Sequence, residues 1–133
     1  LAAEHASVYG YGVVGAHLAG PAQQLARTAF DAHRSRRDRL IALIKDLGAD
    51  PVAAAPAYTL PEPVTDAASA KRLAAHLELG VAAADIDLVA YAPPEQRADV
   101  ALDVQTCAVR AAQWTDTPTA FPGLPPSPTS PRS

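Results

Sequence analysis

Four arginines fall within six residues, Arg34, Arg36, Arg37 and Arg39, in the stretch RSRRDR. Guanidinium groups this dense suit phosphate or another anion, because each carries a fixed charge on a planar fork of donors. On a helix, however, residues at this spacing point around much of the circumference and do not form one stripe. The second helix holds six basic residues, these four with Arg27 and Lys45, and Asp31, Asp38 and Asp46 lie among the six as pairing partners. The expected reading is a solvated, internally paired face, with an anion or partner surface as the alternative. Cys107 is the only cysteine, which excludes an internal disulfide and a thiolate metal cluster. A lone helical cysteine reads as a small buried hydrophobe and not as a nucleophile. His5, His17 and His76 each stand apart from other ligating residues, so surface or capping roles are expected for all three. The glycines of GYGVVG lie within a helical pattern with no strand before it, so they are not a dinucleotide loop.

These side chains must be carried by helices. Apolar residues make up 49 % of the 133 positions, but only 5 % are aromatic and alanine is abundant, a balance that disfavours a β-sandwich. A first helix reads from about Leu1 to Leu18, with Glu4, Val8, Tyr11, Gly15 and Leu18 as its stripe. Gly10, Gly12 and Gly15 weaken it, and the compensation expected is close approach of a neighbouring helix. A second helix runs from Pro21 or Ala22 to about Leu47, stopped at Gly48. Its inward face is expected to run through Ala26, Ala29, His33, Arg37, Leu40, Ile44 and Leu47.

Residues 50–65 carry Pro51, Pro56, Pro61 and Pro63 and form a long connection. A third helix spans about Asp66 to Ala92, capped by Asp66 and broken at Pro93-Pro94. Its stripe is Leu73, Leu77, Val81, Ala84, Leu88 and Tyr91. A fourth runs from Pro94 or Glu95 to Trp114 on Val100, Val104, Cys107, Ala111 and Trp114. The fold class is therefore all-α, a four-helix bundle over 1–114 with a long middle crossover and a proline-rich tail over 115–133. Phe121 and Leu124 are expected to pin the first part of that tail to the bundle, beside an exposed Trp114.

The net charge of −3 argues against a nucleic-acid partner, and no apolar run is long enough for a membrane span. An alanine-rich core buries little area per residue, so a homodimer is the expected partner state. The chain has no methionine and Leu1 already reads as helix interior, so sequence upstream of Leu1 is expected. A cytoplasmic location is expected, with export left open by that missing beginning.

The segments LAAEHASVYGYGVVGAHL, AHRSRRDRL, AYTLPEPV, LELGVAAADIDLVA and TAFPGLP, in this order along the chain, resemble an actinobacterial ferritin-like family of unassigned function. The resemblance implies a ferritin-like bundle. Di-iron members of that superfamily carry one glutamate on each of two helices and a Glu-x-x-His pair on each of the other two. Laid on this chain, the pattern selects Glu4 on the first helix, His33 on the second and Glu78 on the third. Phe30 stands where the second helix would need a carboxylate, and the fourth helix has neither histidine nor a Glu-x-x-His pair. Two readings follow. In the first, Glu4 and His33 hydrogen-bond to each other or to Tyr11, Arg37 neutralises Glu4 or Glu78, and the protein is a non-catalytic binding or structural module with no cofactor. In the second, Glu4, His33 and Glu78 are a reduced ligand set for iron, manganese or zinc with redox chemistry.

Overall fold

The computed structural model describes residues 1–115, and its regular elements are all helices: α1 (Ala2–Ala16), α2 (Gly20–Asp46), α3 (Ala67–Tyr91) and α4 (Pro94–Thr115). Thr115, expected to begin the tail, is the last residue of α4. The rest of the proline-rich tail, with Phe121 and Leu124, lies outside the described residues. Gly20, at a left-handed φ of 57°, turns the chain from α1 into α2, and Pro21 sits in the first turn of α2. Gly48, at φ 76°, ends the run after α2. Asp66 accepts the Ser69 amide at 2.8 Å while the Ser69 hydroxyl accepts the Asp66 amide at 3.1 Å, a reciprocal cap that starts α3.

Helix α1 packs on α2 and α3, and α3 packs on α4. The long connection lies against α1. His5 Nε2 is 3.1 Å from the Val52 carbonyl, the Tyr9 and Tyr58 rings are 5.4 Å apart, and Leu60 and Val64 pack on the core. His5, expected at the surface, is consequently buried, because the connection covers its side of α1.

Alanine sets the distances in this core. Ala26, Ala29, Ala70, Ala74 and Ala75 let the helices approach closely around Tyr11, Val14, Leu73, Leu77 and Trp114. Gly10 is the tightest point: a Cβ there would lie 2.6 Å from Leu77 Cδ1, whereas Gly12 and Gly15 face open space. Only the first of the three glycines is thus explained by helix approach. The buried stripe of α1 is Glu4, Ser7, Tyr11, Val14 and, beyond its end, Leu18; it bypasses Val8 and Gly15. Trp114 is buried, not exposed, and Leu47 and Tyr91, expected on inward stripes, are 75 % and 87 % exposed. Both lie at the same end of the helix pairs, past the region where other helices cover them. A second, smaller cluster of Val81, Ala82 and Cys107 completes the core. On α3, Glu78 falls between the two clusters.

Candidate functional site

The centre of the bundle is polar. Glu4 from α1, His33 from α2 and Glu78 from α3 are 2 %, 2 % and 0 % exposed, and the fold brings all three together. His33 stands between the carboxylates: Nδ1 is 2.8 Å from Glu4 Oε2 and Nε2 is 3.2 Å from Glu78 Oε1. Burial opposes a charge on the imidazole, but the hydrogen bonds to both carboxylates and their charges outweigh it and push the His33 pKa up to about 9. At neutral pH the ring is an imidazolium donating from both nitrogens.

The network extends both ways. Tyr11 donates its hydroxyl proton to Glu78 Oε1 at 2.6 Å and accepts from Trp114 Nε1 at 3.0 Å. The Tyr11 ring also stacks on His33, with centroids 5.4 Å apart. Burial first, and then the adjacent Glu78, push the Tyr11 pKa far up, so its proton stays in place. On the opposite side the Arg36 guanidinium makes a two-pronged bond to Asp85, with both distances 2.8 Å. It also reaches Glu4 Oε1 at 3.3 Å and Asp103 at 3.2 Å. Burial raises the Asp85 pKa and the Arg36 contact opposes that rise.

Arg36, then, and not Arg37, turns toward the centre. Arg37 pairs with its neighbour Asp38 at the surface. Positions three and four residues beyond His33 are about equally displaced around a helix from its direction, so the period alone cannot choose between them. The three acids facing α2 at Glu4, Asp85 and Asp103 decide it. Sequence reasoning missed two acids of the network, Asp103 and the more deeply buried Asp85. The signal for Asp85 was an acidic residue seven positions beyond Glu78, two turns along the same face of α3. The four-arginine stretch therefore divides: Arg36 is in the core, Arg37 is paired, Arg34 lies 5.7 Å over the Phe30 ring, and Arg39 is exposed.

Cys107 on α4 completes the wall. Burial, followed by the charge of Glu78, pushes its thiol pKa up, which keeps it protonated and a poor nucleophile. His76 is exposed, and His17 Nδ1 is 3.1 Å from the Val13 carbonyl at the end of α1.

As arranged, these donors do not converge on a point where an ion would sit. Each ring nitrogen of His33 already faces a carboxylate oxygen, Glu4 and Glu78 lie against different nitrogens of the ring, and a guanidinium is beside Glu4. Among the described residues no group of three or more His, Cys, Asp or Glu side chains is placed to hold a metal ion. Glu4 Oε1 and Glu78 Oε2 are buried and accept no well-aligned hydrogen bond, although the Arg36 guanidinium lies 3.3 Å from the former. No helix among the described residues is long and apolar enough to cross a membrane.

A solved structure similar to this one is that of a conserved hypothetical protein, rv2844, from Mycobacterium tuberculosis. It shares 35 % sequence identity and a TM-score of 0.82, over 86 % of this chain and 88 % of that one. No curated protein matches the chain. The match to a family extends over residues 1–126, nearly the whole sequence, and the chain belongs to that family, described as a domain of unknown function (DUF4439).

Proposed function

We propose that the protein is a non-catalytic binding or structural module on a ferritin-like bundle, in which two organic cations occupy the place of a di-iron centre. One observation carries this reading: His33 has a carboxylate on each ring nitrogen, at 2.8 and 3.2 Å, leaving it no lone pair for a metal. The imidazolium of His33 and the guanidinium of Arg36 offset two of the three negative charges that Glu4, Glu78 and Asp85 carry when ionised. The second reading, a redox metal site built from Glu4, His33 and Glu78, draws on the two carboxylate oxygens that accept no well-aligned hydrogen bond.

Metal analysis separates the two. The protein is purified without chelator and without a histidine tag, beside Glu4→Gln and His33→Gln variants. The expected result is metal well below one equivalent and unchanged by either substitution. Near-stoichiometric iron, manganese or zinc, lost in both variants, overturns the proposal and establishes the metal site.

A further inference from the structure

Helices α2 and α4 close on each other less than the other neighbouring pairs, and the seam between them opens as a series of clefts. The middle cleft, of about 90 Å³, is lined by Arg36, Arg39, Asp103, Cys107 and Arg110, with His33 at its floor. Among the described residues, Asp103 lies 3.2 Å from Arg36, whose single charge is shared with Asp85 and Glu4. Arg39 from α2 and Arg110 from α4 have no ion-pair or hydrogen-bond partner there. Two guanidiniums without an ion-pair partner among the described residues therefore line one cleft from opposite walls.

We infer that this cleft binds a small oxyanion of the phosphate type, gripped between Arg39 and Arg110. The inference deepens the binding-module reading by naming the class of ligand. The chemistry is that of charge-assisted hydrogen bonds from planar donor forks to tetrahedral oxygens. The cleft, of about 90 Å³, is small and open at its rim, which suits a compact group such as a phosphoryl. The same shape admits free phosphate or the terminal phosphoryl group of a larger molecule entering from the rim. Of the sequence's arginine stretch only Arg39 faces this ligand with an unpaired charge. Its partner comes from α4, far away in the chain.

The test is a calorimetric titration of inorganic phosphate, and separately of glycerol phosphate, at low ionic strength with chelator present. Sodium chloride at matched ionic strength serves as the screening control. Wild-type protein is expected to bind one equivalent of phosphate saturably. Arg39→Gln and Arg110→Gln are each expected to weaken binding at least tenfold, and Arg34→Gln, outside the cleft, is expected to leave it unchanged. Glycerol phosphate binding as well as phosphate identifies a terminal phosphoryl group as the natural form, whereas binding of phosphate alone identifies the free ion. Absence of saturable binding to wild-type protein, or equal weakening in Arg34→Gln, overturns the inference. Because the readout is phosphate and metal is chelated, this result and the metal analysis fail or succeed separately.

Discussion

Raising the pH should loosen this protein through a single proton. His33 holds its proton in the folded state to about 9, against an ordinary value of 6.5 in the unfolded chain. Between those values the folded protein keeps a proton that the unfolded chain has released, so the free energy of unfolding falls as pH rises. The stabilisation is complete below pH 6.5 and is gone above about 9. At about 1.4 kcal/mol per pKa unit, the loss is on the order of 3 kcal/mol, a large part of the stability of an ordinary domain. The groups facing His33 are Glu4 and Tyr11 on α1, Arg36 on α2, Glu78 on α3 and Cys107 on α4. Burial pushes Tyr11 and Cys107 up, and pairing with Asp85 raises Arg36 against the effect of burial, so these three titrate above the window. The assay is urea denaturation at intervals from pH 5 to 10, on wild-type protein and on His33→Gln. Other groups contribute to both curves, so the difference between them isolates His33. The wild type should lose stability relative to the variant by about 3 kcal/mol across the window, with no further divergence below pH 6. Parallel curves would refute the imidazolium bridge, and with it the view that an organic cation holds these carboxylates together.

Two other substitutions probe the packing and the second cation. Gly10→Ala places a methyl against the end of the Leu77 side chain, which can turn aside. The steric cost is set against a helix-propensity gain, so the net change in thermal unfolding should stay within about 1 kcal/mol. Gly12→Ala, with open space around it, should instead gain up to about 1 kcal/mol. Arg36→Met removes the guanidinium from buried Asp85 and Glu4 and should cost about 3–5 kcal/mol, measured by chemical denaturation at neutral pH. A loss below about 1 kcal/mol would show that water reaches these acids and that Arg36 is not what neutralises them.

Helix number, order and approximate ends were legible in the sequence because the signals that encode them are local. Pro21, Gly48, the Asp66 cap and Pro93 act within one turn of where they stand, and the spacing of Leu73, Leu77 and Val81 records a helix face directly. Glu4, His33 and Glu78 were selected by the di-iron pattern that the family resemblance implies; the helical period showed only that each falls on or beside an inward stripe. What those residues do to each other was decided by the tertiary structure. Whether Arg36 or Arg37 enters the core depends on acids from three other helices, Glu4, Asp85 and Asp103, which meet α2 only after folding. His5 is buried because Val52, 47 residues away, is laid over it. Gly10 is crowded where Gly12 and Gly15 are not, because Leu77 meets α1 at one level only. Arg39 and Arg110 share a cleft because α2 and α4 face each other across an open seam. A helical period assigns a residue to a face to within about 50°, but charge pairing and close contact are settled over a few ångströms, and that scale belongs to the assembled helices.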